Sequence, residues 1–353
     1  MANKKRIAPL TWLVLPALYY SINAIHLKNK KIILAGGTGF IGQEMAKYYS
    51  KENQIVVLSR QLQNAQNNRN HYTSLNQHDI QSIQFIKWDG KTAGDWVKEL
   101  DNADLIINLA GKTVNCRYTE KNKKEIFDSR TDSVKAIGAA INQCTLPPKL
   151  WINASSATIY RHAEDRPQDE YSGEYGNGFS VEVCKLWEKT FYEQSTPDTR
   201  KVALRMAITL GPGGILIPYF NLLKFGLGGK QGSGKQMYSW VHIEDTCRMI
   251  EWINDHSNIE GTYNCCSPNP VTNGVFMKLL RKTTGQTFNL PAYEWMLKIG
   301  APLIGTDTEL VLKSRWVVPT KILESGFSFQ YPLLHDAFAD IISKIPRRQY
   351  HLF

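Results

Sequence analysis

Three glycines, Gly36, Gly39 and Gly42, are spaced G-x-x-G-x-x-G directly behind the apolar run Ile32-Ile33-Leu34. They open an amphipathic stretch carrying Ile41, Met45, Tyr48 and Tyr49. A strand that turns through small residues into a helix presents unpartnered first-turn amides, and the helix dipole makes that end attractive to anions. The chemistry is the binding of a dinucleotide's pyrophosphate. In this reading Gly36 allows the tight turn and Gly39 removes the side chain that would block the phosphates. Gly42 lets helix and strand pack closely. Thr38, Phe40 and Ile41 complete the turn. A bare glycine triplet is a weak signal; a triplet joining a strand to a helix is much stronger, and its alternative is a glycine turn without a ligand.

The elements that must hold this turn alternate along the chain. Strand patterns fall at 55–58, 83–86, 105–111, 151–156 and 202–206. Helical patterns lie around Trp96 to Leu100, through Ile126, Val134, Ile137 and Ile141, and from Val181 to Phe191. Residues 61–80 are rich in Asn and Gln and read as an exposed loop. The alternation predicts an α/β fold, a doubly wound parallel sheet covered on both faces, with ligands at the carboxyl ends of its strands. After Gly211 the rhythm changes to glycine-rich loops, a strand and helix over 240–265, and a smaller C-terminal mixed lobe. The expected division is an extension over 1–29 and a nucleotide-binding domain over 30–210, to which 240–265 return. A substrate-side lobe takes 211–239 and 266–345. The sequence has no internal repeat.

The chain has 353 residues, 42% of them hydrophobic, enough for one large or two smaller cores. Its six cysteines form no C-x-x-C pair, so buried reduced thiols and a cytoplasmic setting are expected, with no metal. The net charge of +10 could attract nucleic acid or an anionic membrane. The lysines and arginines are dispersed, however, without an interleaved aromatic stripe, which favours an anionic small molecule and no nucleic-acid partner. Lys4, Lys5 and Arg6 precede an apolar run from Ile7 to Ile22, interrupted by Pro9 and Pro16. In outline that is a signal or tether, but it is short for a membrane span, and Ile22-Asn23-Ala24 is a poor cleavage site. The alternative is an extension ahead of a domain that begins near Lys30. Monomer and homodimer both stay open.

With Ser59-Arg60, Asn108-Leu109-Ala110-Gly111, Ser129-Arg130, Glu182 to Glu188, Gly211-Pro212-Gly213-Gly214, Trp240 to Asp245, Val318-Pro319, Ser325-Gly326-Phe327 and Tyr331-Pro332, the chain resembles the extended short-chain dehydrogenase/reductases over residues 30–345. Within them it is similar to the atypical epimerase family proteins, which carry a C-terminal domain of unknown function and include division-inhibitor-like members. The resemblance implies a Rossmann-like fold and a nicotinamide cofactor. NAD sites usually place an acid after the second strand; here Ser59-Arg60 stand there, which suits the 2′-phosphate of NADP(H). The resemblance also implies that Leu109, Ala110 and Gly111 let the cofactor lie against the backbone. Glu125 and Arg130 would face it, with exposed helix charges as the alternative, and Asp89 would meet the adenine.

Catalysis is where the sequence departs from its relatives. Extended members use Ser, Tyr and Lys, the Tyr as general acid/base. Ser156 matches the serine and Lys185 the lysine, which also binds the ribose. The tyrosine position, four residues before Lys185, holds Val181, which cannot exchange a proton. Three readings follow: another group (Glu182, Tyr171, Tyr175, Tyr160 or His242) replaces the tyrosine; the protein is a non-catalytic NADP(H)-binding regulator, a sensor or partner-binding scaffold; or Lys185 only clamps the ribose and the chemistry needs no protein acid. Lys230 and Lys235 are candidates for an anionic substrate such as a nucleotide sugar. Trp240, Trp295 and Trp316 are candidates for a pocket, and Arg205 is a loose match to a substrate-side arginine. The expected activity is that of a reductase or nucleotide-sugar-epimerase-like enzyme.

Overall fold

A computed structural model describes residues 27–60, 77–287, 290–292 and 313–351. Its first half is the expected alternation. Strands β1 (Lys31–Ala35), β2 (Gln54–Ser59), β3 (Ile83–Lys87), β4 (Leu105–Asn108), β5 (Leu150–Ser156) and β6 (Arg200–Met206) are interleaved with α1 (Phe40–Tyr49), α2 (Gln77–Gln81), α3 (Glu120–Ile141) and α4 (Phe179–Tyr192). Beyond β6 come β7 (Ile208–Leu210), α5 (Leu216–Lys224), β8 (Met237–Tyr238), β9 (Trp240–His242), α6 (Ile243–Asp255), β10 (Gly261–Cys265), β11 (Val271–Thr272), α7 (Asn273–Thr284), α8 (Thr320–Glu324) and α9 (Leu334–Ser343).

The main sheet has seven strands in the order β3-β2-β1-β4-β5-β6-β10, all paired in parallel. The strand order reverses between β1 and β4, which opens a crevice at their carboxyl ends. The strands read as near-continuous apolar runs because both sheet faces are covered. Ile32 and Leu34 point to a core shared with Met45 and Tyr49 of α1 and Ile250 and Ile253 of α6. Ile33 and Ala35 point the other way, to Val134 and Ile137 of α3 and Trp187 and Phe191 of α4. Each such fully buried aliphatic side chain contributes roughly 1.5–3 kcal/mol. Cys265 and Cys266 divide in the same manner: both are buried, and they enter different clusters.

The smaller lobe has its own core, built from α5, α7 and α9. Phe276 is ringed there by Tyr219, Tyr238 and Phe338 at 5.4, 5.5 and 5.1 Å. Three expectations need correction. The fourth strand stops at Asn108, because the Asn108 side chain accepts the Ala110 amide and turns the chain out of the sheet. The helix at Trp96 is a 3-10 turn, Asp95–Glu99. Of the loop assigned to 61–80, residues 77–80 belong to α2 and 61–76 lie outside the described residues. No helix among the described residues is long and apolar enough to cross a membrane.

The core takes in Leu27, ahead of Lys30. The Leu27 amide donates to Glu251 at 3.3 Å, its carbonyl accepts from Asn53 at 2.7 Å, and Tyr48 donates to the other Glu251 oxygen at 3.0 Å. Burial raises the Glu251 carboxyl to about 7, against about 4.3 for an ordinary glutamate. The folded state therefore holds this proton more tightly than the unfolded chain does. Glu251 favours folding most below about pH 4, and that contribution is lost as pH rises through 7. Glu251→Gln keeps an acceptor for Leu27 without the charge. It is expected to raise unfolding free energy by on the order of 2 kcal/mol at pH 8 and by little at pH 5, as urea denaturation at the two pH values will show.

Candidate functional site

The glycine turn sits at the switch point. Gly36 adopts φ +74°, and a Cβ there would meet the Ala110 Cα at 2.7 Å, so the turn and the end of β4 lie backbone to backbone. A Cβ on Gly42 would meet the Gly37 Cα at 2.4 Å, so its close partner is the turn itself rather than β1. Gly39 is different. It is exposed, and the nearest atom to its Cβ position is the Gly36 carbonyl oxygen at 3.8 Å. Gly39 is also the N-cap of α1, and no side chain caps that helix. Open space in front of first-turn amides is what a phosphate-bearing group requires. The Gln43 side chain donates to the Thr38 carbonyl at 2.9 Å and braces the turn. Phe40 faces away from this opening, its ring lying where a Cβ on Gly211, Gly213 or Gly214 would fall. The Gly211-Pro212-Gly213-Gly214 turn is thus a seat for Phe40, and it ties the smaller lobe to the head of α1.

Around the end of β4 the residues expected on α3 come together. Lys112, directly after Gly111, forms a short ion pair with Glu125 and donates to Asn122 at 2.8 Å. That contact holds the Glu125 carboxyl below the usual carboxylate range. Arg130 is half-buried: it donates to the Lys112 and Ile126 carbonyls at 3.1 Å, and its guanidinium carbon lies 5.0 Å from the Trp187 ring centre. Its Nε is buried without a hydrogen-bond partner among the described residues, and a Cβ on Gly111 would touch its guanidinium. Arg130 therefore shapes the turn beneath Gly111, and Leu109 and Ala110 lie half-buried beside it. At the next edge of the crevice Ser59 is buried, Arg60 is exposed, and the Ser59 carbonyl accepts from Trp88 at 2.9 Å. The neighbouring Asp89 spends its carboxylate on its own turn, accepting from the amides of Lys91 and Thr92 and from the Thr92 hydroxyl. Those bonds hold it below its ordinary range.

Ser156 ends β5 and caps the 3-10 turn Ala157–Ile159. Its Oγ lies 3.0 Å from the Thr158 hydroxyl and accepts from the Thr158 amide at 3.2 Å. Val181 is wholly buried and packs against Ala157, Ile159 and Tyr160, so the tyrosine position of the relatives is here part of an apolar cluster. Lys185 lies one turn further along α4 and pairs with Glu182 at 2.9 Å.

The groups weighed as replacements for the tyrosine are mostly committed elsewhere. Glu182 belongs to that exposed pair. Tyr171 donates to Glu324 at 2.7 Å. Tyr175 is half exposed, and its hydroxyl accepts from Arg205 at 2.6 Å. The Tyr160 hydroxyl lies between Arg205 and Asn264, and burial pushes it up to about 12, so it keeps its proton at neutral pH. The His242 Nδ1 accepts the Glu244 amide, which leaves the proton on Nε2, facing Asp340 at 3.1 Å. Burial lowers the imidazole to about 4, so it is neutral at pH 7 and serves as the cap of α6.

Arg205, the loose match to a substrate-side arginine, is buried in a two-point ion pair with Glu188, with Nε–Oε1 and Nη2–Oε2 both at 2.8 Å. Trp240 is a core residue donating to the Asn269 carbonyl at 3.0 Å. Trp316 is half-buried, Lys230 and Lys235 are exposed, and Trp295 lies outside the described residues. Sequence reasoning missed Lys112, whose position directly after the strand-ending glycine was the available signal. It also missed Thr158, whose hydroxyl accepts from the Arg315 Nε at 3.2 Å, a contact for which the sequence held no signal.

A seven-stranded parallel sheet with an open glycine turn at its switch point defines a Rossmann-like nucleotide-binding protein. Residues 32–266 match the NAD dependent epimerase/dehydratase family, and residues 294–341 match a domain of unknown function, DUF1731. The chain belongs to the NAD dependent epimerase/dehydratase family, an extended short-chain dehydrogenase/reductase fold. It is 30% identical to the epimerase family protein YfhF of Bacillus subtilis, over 88% of this chain and 98% of that one. The human epimerase family protein SDR39U1, solved with NADPH, superposes with a TM-score of 0.73 at 24% identity, over 89% of this chain and 99% of that one. The UDP-N-acetylglucosamine 4-epimerase of Methanobrevibacter ruminantium, solved with UDP-N-acetylmuramic acid, superposes with a TM-score of 0.65 at 16% identity, over 90% and 98%. These two structures share the fold.

Proposed function

We propose that this protein binds NADP(H) at the head of α1 and acts as a reductase or epimerase-like enzyme on an anionic, nucleotide-sugar-like substrate in the cytoplasm. The observation that carries the reading is the uncapped, open N-terminus of α1 at Gly39, set between residues that admit no Cβ. Thr38 to Gly42 would hold the pyrophosphate, Arg60 with Ser59 a 2′-phosphate, and Leu109 to Gly111 the flat face of the cofactor. Glu125 and Arg130 act on that turn through Lys112, and Lys185 would hold a ribose. Asp89, engaged in its own turn, keeps one free lone-pair direction for an adenine amine. When bound, the cofactor supplies hydride chemistry. Ser156, fixed by Thr158, orients a substrate oxygen. NADP(H) is favoured over NAD(H) because a guanidinium stands where an acid would bind ribose hydroxyls, and the human relative's NADPH agrees with that preference. Arg60→Ala is expected to weaken NADPH binding about tenfold and leave NADH unchanged. Calorimetric titration of both nucleotides tests this, and NADH binding more tightly than NADPH to the unsubstituted protein overturns the NADP assignment.

The second reading, a non-catalytic NADP(H)-binding regulator, rests on Val181, wholly buried where a proton-transferring tyrosine would stand. NADPH oxidation across a panel of carbonyl and nucleotide-sugar substrates, lost in Ser156→Ala, selects the enzyme. Nucleotide binding with no turnover across the panel selects the regulator.

A further inference from the structure

Three stretches of the smaller lobe and its tail hold nearly all of the chain's excess charge. Residues 211–239, 266–287 and 344–351 carry three lysines or arginines each and no aspartate or glutamate, against a net charge of +10 for the whole chain. Among the described residues only Lys344 of these cations pairs with a carboxylate, Asp340 at 2.7 Å. The same lobe exposes apolar side chains: Phe225 is 68% exposed, Ile217 52% and Leu290 48%. The fold gathers both kinds together. On α5, Ile217, Asn221 and Lys224 follow at helical spacing, and Phe225 is the C-cap. Leu290 is tied to that end, its amide donating to the Gly226 carbonyl at 2.8 Å and its carbonyl accepting from the Gly229 amide at 3.0 Å. The C-terminal tail lies alongside. Its Tyr350 ring is 5.9 Å from that of Phe220 on α5, and the Tyr350 carbonyl accepts from Gln286, just past α7, at 2.9 Å. Arg347 and Arg348 in this tail and Lys282 in the last turn of α7 are exposed. A helix C-terminus attracts cations by itself, which accounts for Lys224 and Lys282. It accounts neither for the missing acids nor for the bare apolar side chains.

We propose that this face of the smaller lobe docks on an anionic lipid surface, with Ile217, Phe225 and Leu290 entering the headgroup region and Lys282, Arg347 and Arg348 lying on the lipid phosphates. Apolar side chains set among cations are the pattern that holds a protein at such an interface, where burial and attraction to the negative surface add. Like charges gathered on one lobe repel each other, and an anionic surface relieves that repulsion. A small anion would call for donors converging in a recess, whereas these cations stand on the outside of a helix end and a tail. A single-stranded nucleic acid would call for a row of stacking rings, and among the described residues of the three stretches Phe225 is the only exposed ring.

The test is co-sedimentation of the full chain with vesicles of phosphatidylcholine, alone or mixed with phosphatidylglycerol. Binding is expected with the mixed vesicles only, and is expected to fall at least about tenfold when NaCl rises from about 0.1 to about 0.5 M. The double variant Arg347→Gln with Arg348→Gln is expected to weaken it on the order of 30-fold, and Phe225→Ser about tenfold. Lys149→Gln, which removes a cation 81% exposed just ahead of β5, leaves it unchanged. All variants keep residues 1–26, so a tether there cannot produce the difference. Equal circular dichroism melts show that the variants are folded. The proposal is overturned if the unsubstituted protein binds neither vesicle or both alike, or if the double variant and Phe225→Ser bind as it does. Retention on duplex DNA, lost in the double variant and without vesicle binding, overturns it in favour of a nucleic acid. A Phe225→Ser melt well below that of the unsubstituted protein places the ring inside the fold and likewise overturns it.

Discussion

Gly39→Asp is expected to weaken NADPH binding by on the order of 100-fold while leaving the fold as stable as before or more so. The backbone at Gly39 has φ −73° and ψ 167°, a conformation open to any residue. Its Cβ direction points into space, with the Gly36 carbonyl oxygen 3.8 Å away as the nearest atom. No side chain caps α1, so an aspartate there gains the first-turn amides and a favourable dipole, together worth roughly 0.5–2 kcal/mol. The same carboxylate occupies the place of the pyrophosphate and repels it. Stability and binding therefore move apart, and a merely damaged fold does not produce that pattern. Gly42→Ala is the contrasting case, because its Cβ would fall 2.4 Å from the Gly37 Cα; overpacking of this kind costs about 1–3 kcal/mol. Thermal unfolding and calorimetry on the Gly39 variant decide the matter. Undiminished NADPH affinity removes the pyrophosphate from this turn and with it the proposed function.

The turn was legible in the sequence because its physics is local. Three glycines between a strand and a helix state their own geometry, and only the partner of Gly42 was misplaced. The sheet was legible for a related reason: runs such as Ile55 to Leu58 have no polar face to offer solvent, so they read as strands buried on both sides. What the sequence did not disclose is set by contacts between distant residues. Arg205 and Glu188 each look like a surface charge in one dimension, yet β6 and α4 bring them together inside the protein. Thr158 and Arg315 are 157 positions apart, and no spacing rule joins them. His242 was plausible as a site residue by type, but its helix cap and Asp340 claim its two ring nitrogens. The departure at Val181 was visible at once. That it seals an apolar cluster beneath the serine turn needed the packing of α4.

Glu188→Ala is expected to cost about 3–5 kcal/mol of unfolding free energy. The glutamate and Arg205 have side chains only 10% and 5% exposed, so neither charge has water to fall back on. Arg205 bonds Glu188 at two points, and two of its three other donors reach the hydroxyls of Tyr160 at 2.8 Å and Tyr175 at 2.6 Å. Ser155 donates to the same carboxylate at 2.6 Å. Truncating the glutamate leaves a buried guanidinium without a counter-charge, the arrangement that makes one-sided removal so much costlier than loss of the pair. Glu188→Leu with Arg205→Met is therefore expected to recover most of the loss, because Tyr160 keeps its bond to Asn264 at 3.0 Å and only Ser155 is left to find a new acceptor. Urea denaturation of both single variants and the double variant reads the coupling directly. A loss under about 1 kcal/mol in Glu188→Ala would show that water reaches the pair in solution. The consequence for the site runs through the backbone: Ser155 adjoins Ser156, so this pair fixes the end of β5 on which the proposed substrate-orienting hydroxyl stands. The acid three residues beyond Lys185 thus braces β5 through Ser155 and β6 through Arg205.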